Sequence, residues 1–219
     1  MVISFLPPDI RGLIFDMDLT LYRNEEYYAS QIANQVALLA ADLGMAPADL
    51  QRRLEAWTEA FRKTHGDRKP SFGNTLLGAL GYPIEKSVEL RRRAIRPEDY
   101  LTRDDRLAQV LGELRGRYRL VLVTNNPSDV AVRTLEVLGV REFFPRIIGL
   151  EEAGHSKPHP AALDLAYQAL GLAAPQVVSV GDRYPVDLEV PLGRGSGGVL
   201  VESMEDVYAL PGVLAGAKS

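Results

Sequence analysis

The sequence predicts an α/β fold built on a parallel sheet, and three observations carry that prediction. Five short runs rich in Val, Ile and Leu recur along the chain, helical patterns separate the later ones, and one long stretch near the N-terminus holds helical patterns alone. The first run, IRGLIF at 10–15, leads into Asp16. The others are RLVLV at 119–123, RIIGL at 146–150, QVVSV at 176–180 and GGVLV at 197–201. Continuous apolar runs of this length read as strands covered on both faces.

Between the later strands, Val130, Leu135 and Leu138 share one helical face that stops at Gly139. Leu163, Ala166 and Leu170 share another that stops at Gly171. From 22 to 100 the pattern is helical throughout. Tyr28, Ile32, Val36, Leu39 and Leu43 fall on one face before Gly44, and Pro47 opens a second helix carrying Leu50, Leu54, Trp57 and Phe61. A third helix follows Ser71 and a fourth covers about 85–94. This insertion is long enough for a small second domain. The expected division is a core of 1–21 and 101–219 with a helical domain of 22–100.

Composition narrows the function. The 219 residues carry 25 Lys and Arg against 29 Asp and Glu, a net charge of −4, which excludes a basic binder of nucleic acid polymers. Cysteine is absent, so thiolate catalysis, disulfides and Cys-ligated metals are excluded. The three histidines, His65, His155 and His159, lack metal-site spacing. The apolar start is broken by Pro7 and Pro8, and nothing approaches the ~18 uninterrupted apolar residues of a membrane span. A cytoplasmic protein without membrane partners is expected, as monomer or homodimer.

The chemistry concentrates where strands end. Asp16 and Asp18 leave the first strand one residue apart, at the sheet edge where ligands of open parallel sheets bind. At ~4 Å and an effective dielectric of ~20 two such charges repel by ~4 kcal/mol, so a cation or a proton is expected beside them. Thr124 ends the second strand and is followed by Asn125 and Asn126. Lys157 lies just before the next helix, and Gly181-Asp182 ends the fourth strand with Asp187 close behind. Arg91, Arg92 and Arg93 point to different sides of their helix, so at most one of them can face the cleft, and solvation is the expectation. Tyr22 is expected to pack at the hinge of the insertion. The glycine-rich run at 193–198 precedes a strand, unlike a dinucleotide-binding loop, and reads as a turn.

In this order and placement, the Asp-x-Asp-x-Thr of Asp16, Asp18 and Thr20, the strand-end Thr124, Lys157, and Asp182 with Asp187 resemble the four motifs of the haloacid dehalogenase-like superfamily of aspartate-nucleophile phosphatases. The resemblance spans about 16–187. It implies a Rossmann-like core with strand order 5-4-1-2-3 and a helical cap of the C1 type. It also implies phosphomonoester hydrolysis of a small phosphorylated metabolite, with Asp16 as nucleophile and Asp18 as general acid and base. Mg2+ would be held by Asp16, the Asp18 backbone carbonyl and Asp182. Thr124, the Asn125 amide and Lys157 would hold the phosphoryl group, Asp187 would orient Lys157 or a metal-bound water, and Thr20 would buttress the loop. The dehalogenases of the superfamily lack the second carboxylate, so Asp18 favours phosphate esters. Leu19 stands where relatives often carry Asp, Gly or Asn. In the insertion, Arg68, Lys69 and Asn74 are candidates for touching the substrate beyond its phosphate. Phosphosugar mutase chemistry and a non-catalytic phosphate-binding regulatory module stay open as alternatives.

Overall fold

The computed structural model describes residues 1–66 and 68–216. In chain order its elements are β1 (Val2–Phe5), β2 (Gly12–Phe15), α1 (Glu25–Asp42), α2 (Pro47–Thr64), α3 (Phe72–Leu80), α4 (Ile84–Ala94), α5 (Asp105–Arg115), β3 (Arg119–Val123) and α6 (Ser128–Leu138). There follow β4 (Arg146–Ile148), α7 (Leu150–Ala153), α8 (Ala161–Leu170), β5 (Val177–Gly181), α9 (Glu189–Gly193), β6 (Gly197–Leu200) and α10 (Met204–Gly216).

The strands form one sheet in the order β1-β6-β5-β2-β3-β4, parallel except for β1. Every residue of β2 and of β5 is buried, as their apolar runs require. Alternation along the strands divides the core between two faces. Leu13, Phe15, Leu120, Leu122, Val178 and Val180 pack with residues of α5, α6 and α10, whereas Ile14, Val121, Val123 and Val177 pack with α8. Each fully buried aliphatic side chain contributes roughly 1.5–3 kcal/mol. The helices α6 and α8 end at Gly139 and Gly171, both left-handed at φ 73° and 62°, as expected.

The five expected strands stand in the order 5-4-1-2-3, but the sheet has a sixth. The segment Val2–Phe5 pairs antiparallel with β6 at the edge. It escapes a sequence reading because all four of its residues are solvent-exposed and the prolines that follow break its pattern. A second correction concerns α1. Its buried face runs through Tyr27, Gln31, Gln35, Val36 and Leu39, so Tyr28 and Ile32 lie at its margin and Leu43 is 46% exposed. The helices α1–α4 share their own apolar cluster of Val36, Leu39, Ala40, Leu50, Leu54, Leu76 and Leu90. Among the described residues no helix is long and apolar enough to cross a membrane.

Register places the chemistry. Phe15 aligns with Leu122 on one side and Val180 on the other. Asp16, Thr124 and Asp182 therefore emerge side by side at one edge of the sheet, beneath the helical insertion.

Candidate active site

Asp16 is fixed just past β2 by its N–H, which donates to the Val180 carbonyl at 2.9 Å. The residue is 4% exposed. The cation expected beside it is Lys157, whose Nζ donates to Asp16 Oδ1 at 2.5 Å, to Asp187 Oδ1 at 2.8 Å and to the Val123 carbonyl at 3.0 Å. All three ammonium protons are thereby used. Thr20 Oγ1 donates to the other oxygen of Asp16 at 3.4 Å. Asn125 Oδ1 accepts from the Lys157 N–H at 2.7 Å, and Thr124 Oγ1 accepts from the Asn126 N–H at 3.1 Å.

Asp187 is reached by a close approach. A Cβ added to Gly181 would lie 2.4 Å from the Cβ of Asp187, so only glycine lets the following turn fold back over the strand end. The Arg183 N–H then donates to Asp187 Oδ2 at 3.1 Å.

Asp18 has left the extended path and has its own partners. Tyr22 Oη donates to Asp18 Oδ1 at 2.5 Å, Gln31 Nε2 to the same oxygen at 3.0 Å, and Asn126 Nδ2 to Oδ2 at 2.9 Å. The two carboxylates are separated in this way: Asp16 belongs to the lysine, Asp18 to three neutral donors, two of them, Tyr22 and Gln31, within 22–100. The intervening Leu19 is left-handed at φ 58°, a conformation that costs a branched side chain roughly 1–2 kcal/mol and suits Asn, Asp or Gly.

The carboxylate oxygens of Asp16, Asp182 and Asp187 lie within 4.8 Å of one another. Asp182 Oδ1 is buried without a hydrogen-bond partner, the Arg183 Nε standing off at 3.6 Å. The clustered carboxylate oxygens and the orphaned oxygen of Asp182 fit a divalent cation with oxygen ligands. Asp18 contributes no side-chain oxygen to this cluster. Burial pushes the Asp16 carboxyl up to about 7, with Lys157 opposing and Asp187 and Asp182 adding to it. Burial likewise pushes Asp182 up to about 6 against the pull of Arg183. Burial disfavours the Lys157 charge, but Asp16 and Asp187 more than offset it and its pKa is raised.

A pH dependence follows. Unfolded, Asp16 and Asp182 titrate near 3.8; folded, near 7 and 6. Between those limits the native state binds more protons than the unfolded chain, so these two groups make stability fall as pH rises. Cation-free protein is expected to lose Tm from about pH 4 to about pH 7, and Asp182→Asn to flatten the decline. Thermal melts in a chelator check this, and a wild-type Tm that climbs through the window contradicts it.

The other sequence candidates lie in the insertion. Arg68 is exposed and pairs with Glu189 at 2.7 Å, Lys69 is exposed, and Asn74 is half-buried with its N–H capped by Ser71 Oγ at 3.2 Å. Tyr22 packs against Tyr27, and Tyr27 stacks on Tyr100, while Asn24 Nδ2 donates to the Tyr100 carbonyl at 3.0 Å, so the two ends of the helical stretch touch. The Tyr22 hydroxyl, Gln31 and Asn126 are hydrogen-bond partners of Asp18 that the sequence does not single out. The available signal was the stripe Tyr27, Gln31, Gln35, which carries amides along a helix face that otherwise turns apolar.

The family model for haloacid dehalogenase-like hydrolases matches residues 10–190. The chain is 29% identical over 197 residues to the phosphoglycolate phosphatase of Shigella boydii serotype 4 (strain Sb227), covering 80% of this chain and 74% of that protein. The phosphoglycolate phosphatase of Escherichia coli (strain K12) matches to the same extent. Among solved structures, a HAD phosphatase from Thermococcus onnurineus superimposes with a TM-score of 0.62 at 20% identity, over 96% of this chain and 100% of that one. The 2-haloacid dehalogenase of Pseudomonas syringae pv. Tomato DC3000 gives 0.59 at 21%, over 94% and 99%. At these identities the structures speak for the fold alone.

Proposed function

The chain belongs to the haloacid dehalogenase-like hydrolase family as a phosphatase, and from that premise we propose that it is a Mg2+-dependent phosphomonoester hydrolase acting on a small phosphorylated metabolite through an aspartyl-phosphate. The observation that carries this reading is the division of labour between the two carboxylates: Asp16 against Lys157 beside an uncompensated acidic cluster, Asp18 apart among neutral donors.

An oxygen of Asp16 attacks phosphorus and the bond to the ester oxygen breaks in line. Asp18, as the acid, gives its proton to the departing alkoxide. As carboxylate it then takes a proton from water, whose oxygen attacks phosphorus, and the bond to Asp16 breaks to release inorganic phosphate and restore the nucleophile. Thr124, the Asn125 amide and Lys157 hold the transferring oxygens, and Asp187 keeps Lys157 aimed at Asp16. Asp16, Asp182 and the Asp18 carbonyl would hold Mg2+, which offsets charge on the phosphoryl oxygens. Thr20 steadies Asp16.

Residues 22–100 act in this reading as a cap over a core of 1–21 and 101–219, hinged where Asn24 meets Tyr100, and Arg68, Lys69 and Asn74 lie on the cap side. The enzyme works in the cytoplasm, as monomer or homodimer. A phosphometabolite screen tests the whole: inorganic phosphate is expected with Mg2+ and none with chelator. An isomeric sugar phosphate in its place would assign mutase chemistry, and phosphate binding without turnover a regulatory role.

A further inference from the structure

Three arginines stand in a row on α4, and their fates differ. Arg92 is exposed and pairs with Asp129 at 3.0 Å and Glu151 at 3.9 Å, and Arg93 pairs with Asp42 at 2.7 Å. Arg91 is 4% exposed. Its Nη1 donates to Ser87 Oγ one turn back, and among the described residues no carboxylate lies within ion-pair distance. The solvation expected for all three from sequence therefore fails for this one. A buried guanidinium with five donors and no counter-charge is costly, and folds retain such groups where a ligand supplies the missing anion.

Its surroundings point the same way. Burial lowers the Arg91 pKa to about 10, while the charges of Asp18 and Tyr28 act against that, so the guanidinium lies within the field of the site. A Cβ added to Gly73, at the start of α3, would lie 3.0 Å from Ser156 Oγ and 3.8 Å from both Arg91 Nη2 and Ser87 Oγ. Arg91 and Ser156, the neighbour of Lys157, thus flank one bare Cα. Ser156 Oγ is itself buried without a hydrogen-bond partner. An unpaired cation and an unpartnered hydroxyl stand together where α3 and α4 meet the segment that carries Lys157.

We propose that Arg91 receives a carboxylate borne by the leaving group, so that the preferred substrates are short phosphorylated hydroxy acids. This rests on reading the site as a phosphomonoesterase, in which the leaving group faces the insertion. Lys157 is held by Asp16 and Asp187 for the phosphoryl group and Arg183 stands among acidic residues, so among the described residues Arg91 is the buried cation left without a counter-charge for a second anion. The planar fork matches a carboxylate in two parallel hydrogen bonds.

The test compares phosphoglycolate with its uncharged counterpart 2-hydroxyethyl phosphate and with ethylene glycol bisphosphate, in wild type, Arg91→Met and Arg91→Lys. Wild type is expected to favour the carboxylate by about 100-fold in kcat/KM. Arg91→Met is expected to cut that ratio at least tenfold, chiefly through KM, and Arg91→Lys to keep part of it. The Tm of Arg91→Met should equal or exceed the wild-type value, since the methionine removes a buried unpaired charge. A wild-type ratio near one, a ratio that survives in Arg91→Met, or preference for the bisphosphate overturns the proposal. So does a lowered Tm with the ratio unchanged, which would make Arg91 structural. Calorimetric binding of phosphonoacetate against ethylphosphonate separates this from the hydrolase reading. If no phosphate is released from any ester, that reading fails, and Arg91-dependent preference for phosphonoacetate still upholds the receptor while equal binding removes it.

Discussion

Replacing Asp16 with Asn is expected to lower phosphate release by at least about 10⁴-fold, because the amide cannot form the covalent intermediate that divides the reaction into two steps. The fold should survive the change. Asn has the same shape, and the buried carboxylate it replaces is pushed up to about 7 by burial and by Asp187 and Asp182, so it is a group the native state holds at a cost. Lys157 keeps Asp187 at 2.8 Å and the Val123 carbonyl at 3.0 Å. Melting temperature in a chelator at pH 8 is therefore expected to match or exceed that of wild type, as for a site in which stability has been given up for chemistry. Two measurements decide the point: turnover of an aryl phosphate, and acid-quenched peptide mapping for a phosphoryl group on the segment containing Asp16. Retained turnover in Asp16→Asn would refute the covalent route, whatever the melt shows.

Most of this fold was legible before any coordinates, for a physical reason. Strands buried on both faces must be continuously apolar, so IRGLIF and QVVSV announce themselves, whereas Val2–Phe5 is an exposed edge strand whose residues answer to no core. Motif residues were legible because each sits at a strand end or before a helix. What was not legible is every contact that joins the insertion to those strand ends. Gln31 and Arg91 occupy helix faces, where a polar residue reads as solvated unless something buried needs it. Two buried positions of α1, Gln31 and Gln35, are amides, so an apolar count sets the phase of the helix on Tyr28 and Ile32 instead. Asn126 enters the sequence only as a residue following Thr124, but its side chain reaches Asp18 across 108 residues. The departure at Leu19 was visible in the sequence, and its meaning came only with φ 58°.

Asp18→Asn tests the second carboxylate and yields a different signature. Three donors converge on its oxygens, Tyr22 Oη and Gln31 Nε2 on one and Asn126 Nδ2 on the other. An amide there puts its own N–H groups against a donor, so the variant loses both the proton it should deliver and the geometry that aims it. With an alkyl phosphate, whose leaving group needs protonation, turnover is expected to fall by about 10²–10⁴-fold. With an aryl phosphate the first step needs little help, but the second still lacks its base, so the phosphorylated enzyme should accumulate after a burst and release phosphate slowly. Rapid-quench kinetics on the two esters separate these cases. Gln31→Leu supplies the intermediate case. Tyr22 and Asn126 still hold Asp18, so a partial loss is expected, larger for the alkyl ester, because the missing contact is the one that ties α1 of the insertion to the acid. Near wild-type hydrolysis of the alkyl ester by Asp18→Asn would mean that the leaving group draws its proton from elsewhere, and the role given to Asp18 would have to be abandoned even if Asp16 stands.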